Sequence, residues 1–282
     1  MPPDVSVIIP AYQAIPLILN AVQSAISQAE VTTEVVIAAD DQLDYGSFLS
    51  GSGIPSARYV LCRTNRIGSG PAAARNLAVE LASSEIIAPL DADDAFAPDR
   101  LRWLLSEVDR HGVATGPTVE RDVSDQHLRV ARPAGGRDAL SAEELCTVRM
   151  PYFPLFHRQF FGDGWPDIDF AEDLVFNLSL LQQAGVYAFV EAAHYSYLQH
   201  EGSLSNAPDT VHRARRGYEQ ILQTLDAGIL EWDAHIADVL RRVISEDIAA
   251  VEAHLARAAR AESGEWRDVV RAPHEHLDGG GA

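Results

Sequence analysis

The chain has 282 residues, 47% of them hydrophobic, and a formal net charge of −19. That is enough chain for one large α/β domain with a helical appendage, and its acidity argues against nucleic acid or an acidic membrane surface as partner. It contains no lysine, which excludes Schiff-base and P-loop lysine chemistry and leaves phosphate charge to arginine, metal, backbone N–H groups or helix N-termini.

Val5 to Pro10 is a short apolar run stopped by proline, and it predicts a buried strand. Pro16 to Gln28 carries apolar residues at helical spacing. Glu34 to Ala39 reads as a second strand ending in Asp40-Asp41, and Ala57 to Cys62 as a third. Gly68-Ser69-Gly70-Pro71 opens a helix over Ala72 to Ser83. Glu85 to Leu90 is a fourth strand, and Leu101 to Arg110 is helical again. This alternation predicts a doubly wound, mostly parallel sheet with its ligand beyond the carboxyl ends of the strands. Tyr12, Asp40, Asp41, Asp91 and Asp93 all follow strand ends and are expected in one crevice.

Asp91-Ala92-Asp93-Asp94 closes the fourth strand, and Asp94, alternating to the other side, is read as orienting the loop at most. Two carboxylates two residues apart point the same way and repel unless a cation lies between them. Mg2+ or Mn2+ takes one or two carboxylates and completes its shell with substrate phosphate oxygens. An ordinary solvated loop has the same pattern, so the motif alone does not decide.

Residues 112–149 look irregular. Pro89, before the acidic cluster, suggests a sheet edge or bulge. Tyr152 to Phe161 is apolar and aromatic, and the Phe153 to Phe161 cluster with Trp165 reads as core packing or a pocket wall. Ala171 to Ala184 is helical, Val186 to Val190 is a strand, and everything from Thr210 is helical. The boundaries expected are a domain over 1–209 and a helical extension over 210–282 with a frayed end. Cys62 and Cys146 have no metal or disulfide spacing. With no signal-like N-terminus and no apolar run of membrane length, a soluble cytoplasmic protein is expected.

Six motifs in order resemble family 2 glycosyltransferases of the GT-A fold: Val5 to Tyr12, Glu34 to Ile37 with Asp40-Asp41, Ala74-Arg75-Asn76, Asp91 to Asp94, Glu172-Asp173, and Tyr197 to Ser205. The resemblance covers residues 4–206. It implies an inverting, metal-dependent transfer of a sugar from a nucleoside-diphosphate donor, with UDP preferred, to an acceptor hydroxyl. It also implies roles. Asp173 is the base, and Glu172 binds acceptor or donor sugar. Asp93, Asp91 and His200 are metal candidates for Mn2+ or Mg2+, with His200 left open between ligand and loop cap. Pro10, Tyr12, Asp40, Asp41, Arg75, Asp91 and Ala92 bind donor. Asp41 is followed by Gln42-Leu43 where the family has glycine and serine, so the base contact differs. The Gly68–Gly70 turn reads as a phosphate cradle or a plain loop. Arg213, Arg215 and Arg216 read as a lid or a solvated face, and His274-Glu275-His276 as a tail feature. The C-terminal helices suggest a homodimer contact. A nucleotidyltransferase, disfavoured by the absence of Arg and Lys in the first thirty residues, and a non-catalytic binding protein are the alternatives.

Overall fold

The computed structural model describes residues 2–133, 135–148, 150–203, 207–229 and 232–259. The nucleus is a parallel block of β1 (Val5–Ala11), β2 (Thr33–Ala39), β3 (Tyr59–Arg63) and β4 (Ile86–Pro89), ordered β3-β2-β1-β4. The sheet continues β4-β10-β6-β11-β9 through β10 (Leu155–His157), β6 (Val113–Thr115), β11 (Tyr187–Phe189) and β9 (Ala139–Leu140). β10 runs antiparallel to both neighbours and β9 antiparallel to β11, so the sheet is mixed.

Strand alternation fixes which face meets which helices. Val5, Val7 and Ile9 pack with α1 (Ile18–Ile26), α2 (Tyr45–Gly51) and α4 (Arg100–His111). Ile8 and, from β2, Val36 face α3 (Pro71–Leu81) and α6 (Glu172–Ala184). α3 starts on proline after Gly70, whose φ of 93° suits glycine. The expected fourth strand is present, but Pro89 lies in the sheet interior, opposite Ile8. The partner on its other side, β10, pairs only with Ile86 and Ile87, so no ladder bond needs the N–H that Pro89 lacks.

The stretch read as irregular contains most of a second sheet. Its order is β5 (Ala95–Phe96), β12 (Tyr195–Gln199), β7 (Thr118–Asp122), β8 (His127–Ala131). It also holds α5 (Ala142–Thr147), which Ser141 and Glu144 start with a reciprocal capping box. The strands are too short for periodicity to reveal them.

The C-terminal helices α7 (Thr210–Asp226) and α8 (Ala234–Ala259) pack into the same core as α6. Tyr218, Leu240, Val243 and Val251 cluster with Trp165 and Phe176. The apolar stripe that suggested pairing with another chain is therefore largely covered within this one. Gly217 brings α7 against residue 170. A Cβ there would lie 2.6 Å from the Phe170 backbone N and O. The frayed end and His274-Glu275-His276 lie outside the described residues. No described helix is long and apolar enough to cross a membrane.

Candidate active site

Beyond the carboxyl ends of β1, β2 and β4 lies a cavity of about 1150 Å³. Pro10, Tyr12, Asp40, Arg75, Asp91, Ala92, Asp93, Glu172, Asp173 and His200 all line it. Asp41 does not. Its carboxylate accepts from Gln13 N, Leu43 N and the Tyr45 hydroxyl, bracing the turn after β1 against α2. Tyr12 is 52% exposed and presents a free ring face at the rim.

Asp40 is buried and shapes its own wall. It accepts from Ser69 N at 2.9 Å, Gly70 N at 2.8 Å and Thr64 Oγ1 at 2.6 Å. Two amides of the Gly68–Gly70 turn, a candidate phosphate cradle, are thus turned onto this carboxylate, and the Gly68 amide donates to the Asp40 backbone carbonyl.

Arg75 joins the two acidic motifs. It is 5% exposed and donates to Asp91 Oδ1 at 2.7 Å and to Glu172 Oε1 at 3.1 Å. Burial opposes its charge, but the Asp91 and Glu172 carboxylates outweigh that and hold the guanidinium protonated. It also lies 5.8 Å from the Trp165 ring centroid. Trp165 itself is core, stacked on Phe176.

Asp173 follows Glu172 in the first turn of α6, after Ala171 at a φ of 64°. Burial and then the Glu172 charge push its carboxyl up to about 7, with Arg75 pulling the other way. A carboxyl in that range can hold and release a proton near neutral pH.

Asp93 and Asp91 have separate partners. The Asp93 carboxyl, raised by burial and then by Asp91, lies 2.9 Å from His200 Nε2. Gly202 N donates to His200 Nδ1 at 3.1 Å, so Nδ1 presents a lone pair and the neutral ring carries its proton on Nε2. In this turn His200 donates to Asp93, whereas a metal bound at Nε2 would need that nitrogen's lone pair. Among the described residues no three His, Cys, Asp or Glu side chains form a metal-ligating group. A site of one or two carboxylates still suits Mg2+ or Mn2+ when diphosphate oxygens complete the shell. Asp93, with Asp91 beside it, fits that donor set.

Sequence reasoning assigned Asp94 at most a loop-orienting part and passed over Tyr195. Asp94 is 1% exposed and accepts from the Tyr195 hydroxyl and from Leu198 N, both at 2.8 Å. The same hydroxyl accepts from Asp91 N at 3.0 Å. One buried carboxylate therefore ties the loop bearing Asp93 to the strand leading to His200. Arg100, 1% exposed, lies 5.3 Å from the Tyr195 ring centroid and donates to Ala193 O and Phe153 O. Burial lowers its pKa to about 10.

The three arginines after the closing motif diverge. Arg213 lines the cavity and donates to Asp169 O, while Arg215 pairs with Glu219 and Arg216 with Asp169. Tyr152, Asn177, Tyr218 and Asp247 also line the cavity. Nothing in the local sequence marks them out from core residues.

The sequence profile described as "Glycosyl transferase family 2" matches residues 6–165. The succinoglycan biosynthesis protein ExoO of Rhizobium meliloti is 30% identical over 224 residues, covering 72% of this chain and 63% of the relative. The chain thus spans less than two thirds of that protein. Staphylococcus aureus TarS 1-349 in complex with UDP-GlcNAc superposes with a TM-score of 0.66 at 18% identity, over 94% of this chain and 77% of the other. A mannosyltransferase from Pyrobaculum calidifontis, in complex with GDP-Man and Mn2+, gives 0.58 at 18% identity over the same shares. The architecture is the GT-A fold, and the chain belongs to glycosyl transferase family 2.

Proposed function

We propose that this protein transfers a sugar from a nucleoside-diphosphate donor, UDP-linked, to an acceptor hydroxyl, inverting the anomeric centre. The observation that carries the reading is Arg75, a buried cation in the cavity wall bonded to both Asp91 and Glu172. It sets a diphosphate-side carboxylate and a base-side carboxylate pair at fixed spacing across one space. The TarS complex with UDP-GlcNAc supports the choice of uridine donor.

The acceptor oxygen attacks the sugar C1 while Asp173 takes its proton. The C1–O bond to the diphosphate breaks, and the leaving group keeps the electron pair. Attack by the acceptor oxygen opposite the leaving group, with one base and no protein nucleophile, gives inversion. Glu172 raises the proton affinity of Asp173 and is itself held by Arg75, which also stabilises charge on the departing diphosphate. Tyr12 offers a ring face to the nucleobase. A divalent cation held by Asp93 and Asp91 would supply Lewis-acid stabilisation of the diphosphate, and the Mn2+ complex of the mannosyltransferase neighbour supports its use.

The test is UDP release from UDP-glucose and UDP-N-acetylglucosamine with Mn2+, against GDP-mannose. Wild-type turnover with a UDP-sugar, and Asp173→Asn that keeps the UDP·Mn2+ thermal shift but loses turnover, is the expected pattern. The absence of any nucleotide-dependent shift in the wild type would overturn the donor assignment.

A further inference from the structure

The cavity is larger than a donor requires. Single-ligand sites run to roughly 300–1,000 Å³, and this one reaches about 1150 Å³. Its donor half is polar, bounded by Asp40, Arg75, Asp91 and Asp93. Next to Asp173 the lining turns largely apolar, with Cys146 on α5, Met150 and Tyr152 after it, Leu174 on α6 and Tyr218 on α7, alongside the polar Asn177, Arg213 and Asp247. The apolar members also belong to the main hydrophobic cluster or pack against it. Protein interiors are close-packed, so an apolar chamber left open within such a cluster calls for an occupant.

A second observation points the same way. Tyr152 is 3% exposed and lines the cavity, and its hydroxyl is buried without a hydrogen-bond partner among the described residues. Leaving such a group unpaired is costly. Its neighbour Asn177 is bonded elsewhere: that amide donates to the Tyr152 backbone O and accepts from the Tyr187 hydroxyl. Asn177 stands one helical turn beyond Asp173 on the same face of α6, so chamber and base adjoin.

We propose that the acceptor is amphipathic: a hydroxyl presented to Asp173, borne on an apolar alkyl or aryl body seated between α5, α6 and α7, with the Tyr152 hydroxyl meeting a polar atom where the two parts join. This deepens the glycosyl-transfer reading and rests on it. The family profile ends at residue 165, whereas Leu174 and Tyr218 of the chamber lie beyond it, so this selectivity is built partly outside the matched region.

The experiment titrates the full chain calorimetrically with methyl, butyl, hexyl and phenyl β-glucosides, with and without UDP and Mn2+. The sugar is constant, so only the apolar body varies. Affinity is expected to rise at least about tenfold from methyl to hexyl, with an increasingly negative heat-capacity change. The phenyl arm tells a ring site from a chain site. Tyr152→Phe removes a hydroxyl that no described group uses, so several-fold weaker hexyl glucoside binding at unchanged Tm supports its assignment, and unchanged affinity removes it from the site. Location is read in Cys62→Ser, where hexyl but not methyl glucoside is expected to slow modification of Cys146 by methyl methanethiosulfonate. Equal affinity along the series, or a chain-length effect without Cys146 protection, overturns the proposal while a UDP·Mn2+ thermal shift keeps the donor reading intact. Loss of that shift itself would instead sink the transfer reading beneath it.

Discussion

Asp173 carries a charge that folding makes expensive. Its carboxyl is raised from 3.8 to about 7, so the folded state binds the proton more tightly than the unfolded one. Stability contributed by the protonated form is present below the unfolded value and is lost as pH rises toward 7, at up to about 1.4 kcal/mol per pH unit. Asp173→Asn is therefore expected to flatten the Tm-against-pH curve between about pH 4 and 7 and to raise Tm above pH 7. In the wild type kcat/KM should climb through the same region as the base deprotonates. A wild-type rate that falls with rising pH there would rule out Asp173 as the base. His200 yields a second residue-scale prediction, because its turn makes it a donor to Asp93. Glutamine can supply the same N–H, so His200→Gln should keep a Mn2+-dependent thermal shift with UDP, and Asp93→Asn should lose it. Equal loss in both would make the imidazole a ligand.

Between elements, the telling contact is α7 on the segment before α6. Alanine is favoured over glycine in a helix interior by about 1 kcal/mol, yet at Gly217 the added methyl would sit 2.6 Å from backbone atoms of Phe170. Gly217→Ala is expected to lower Tm by several degrees despite its better propensity, and a raised Tm would show that α7 does not lie this close. Strand ends and helix starts were legible in the sequence because each chemical motif follows an apolar run of recognisable period. β7, β8 and β12 were not, since strands of 5 residues next to turns give periodicity little to act on. Asp94 shows the same limit at a single position. Its spacing marked it as facing away from Asp93, but only the fold reveals Tyr195 waiting for it, 101 residues later.

At the level of the whole molecule, the half of the site proposed to hold the donor was readable and the half proposed to hold the acceptor body was not. Asp40, Arg75, Asp91 and Asp93 announce themselves as charges in apolar surroundings. Tyr152, Leu174 and Tyr218 resemble core residues anywhere, and only their meeting around an open space gives them meaning. The net charge of −19 must also be overcome by an anionic donor. Raising ionic strength from about 0.01 M to about 0.15 M shortens the Debye length from about 30 Å to about 8 Å, so KM for a UDP-sugar should fall with added NaCl. A KM that rises would mean that local arginines, rather than the global field, steer the donor.

Asp40 and Asp247 line one cavity although about two hundred residues separate them. A ribosome adding about 5–20 residues per second needs on the order of ten to forty seconds to cover that distance. The nucleotide end of the site is thus synthesised well before the helix that helps enclose the other end. Once Tyr218 has been made, the nascent chain carries a cleft with its apolar wall uncovered until α8 follows, which makes the arrival of α8 the event that closes a window for misassociation during biosynthesis.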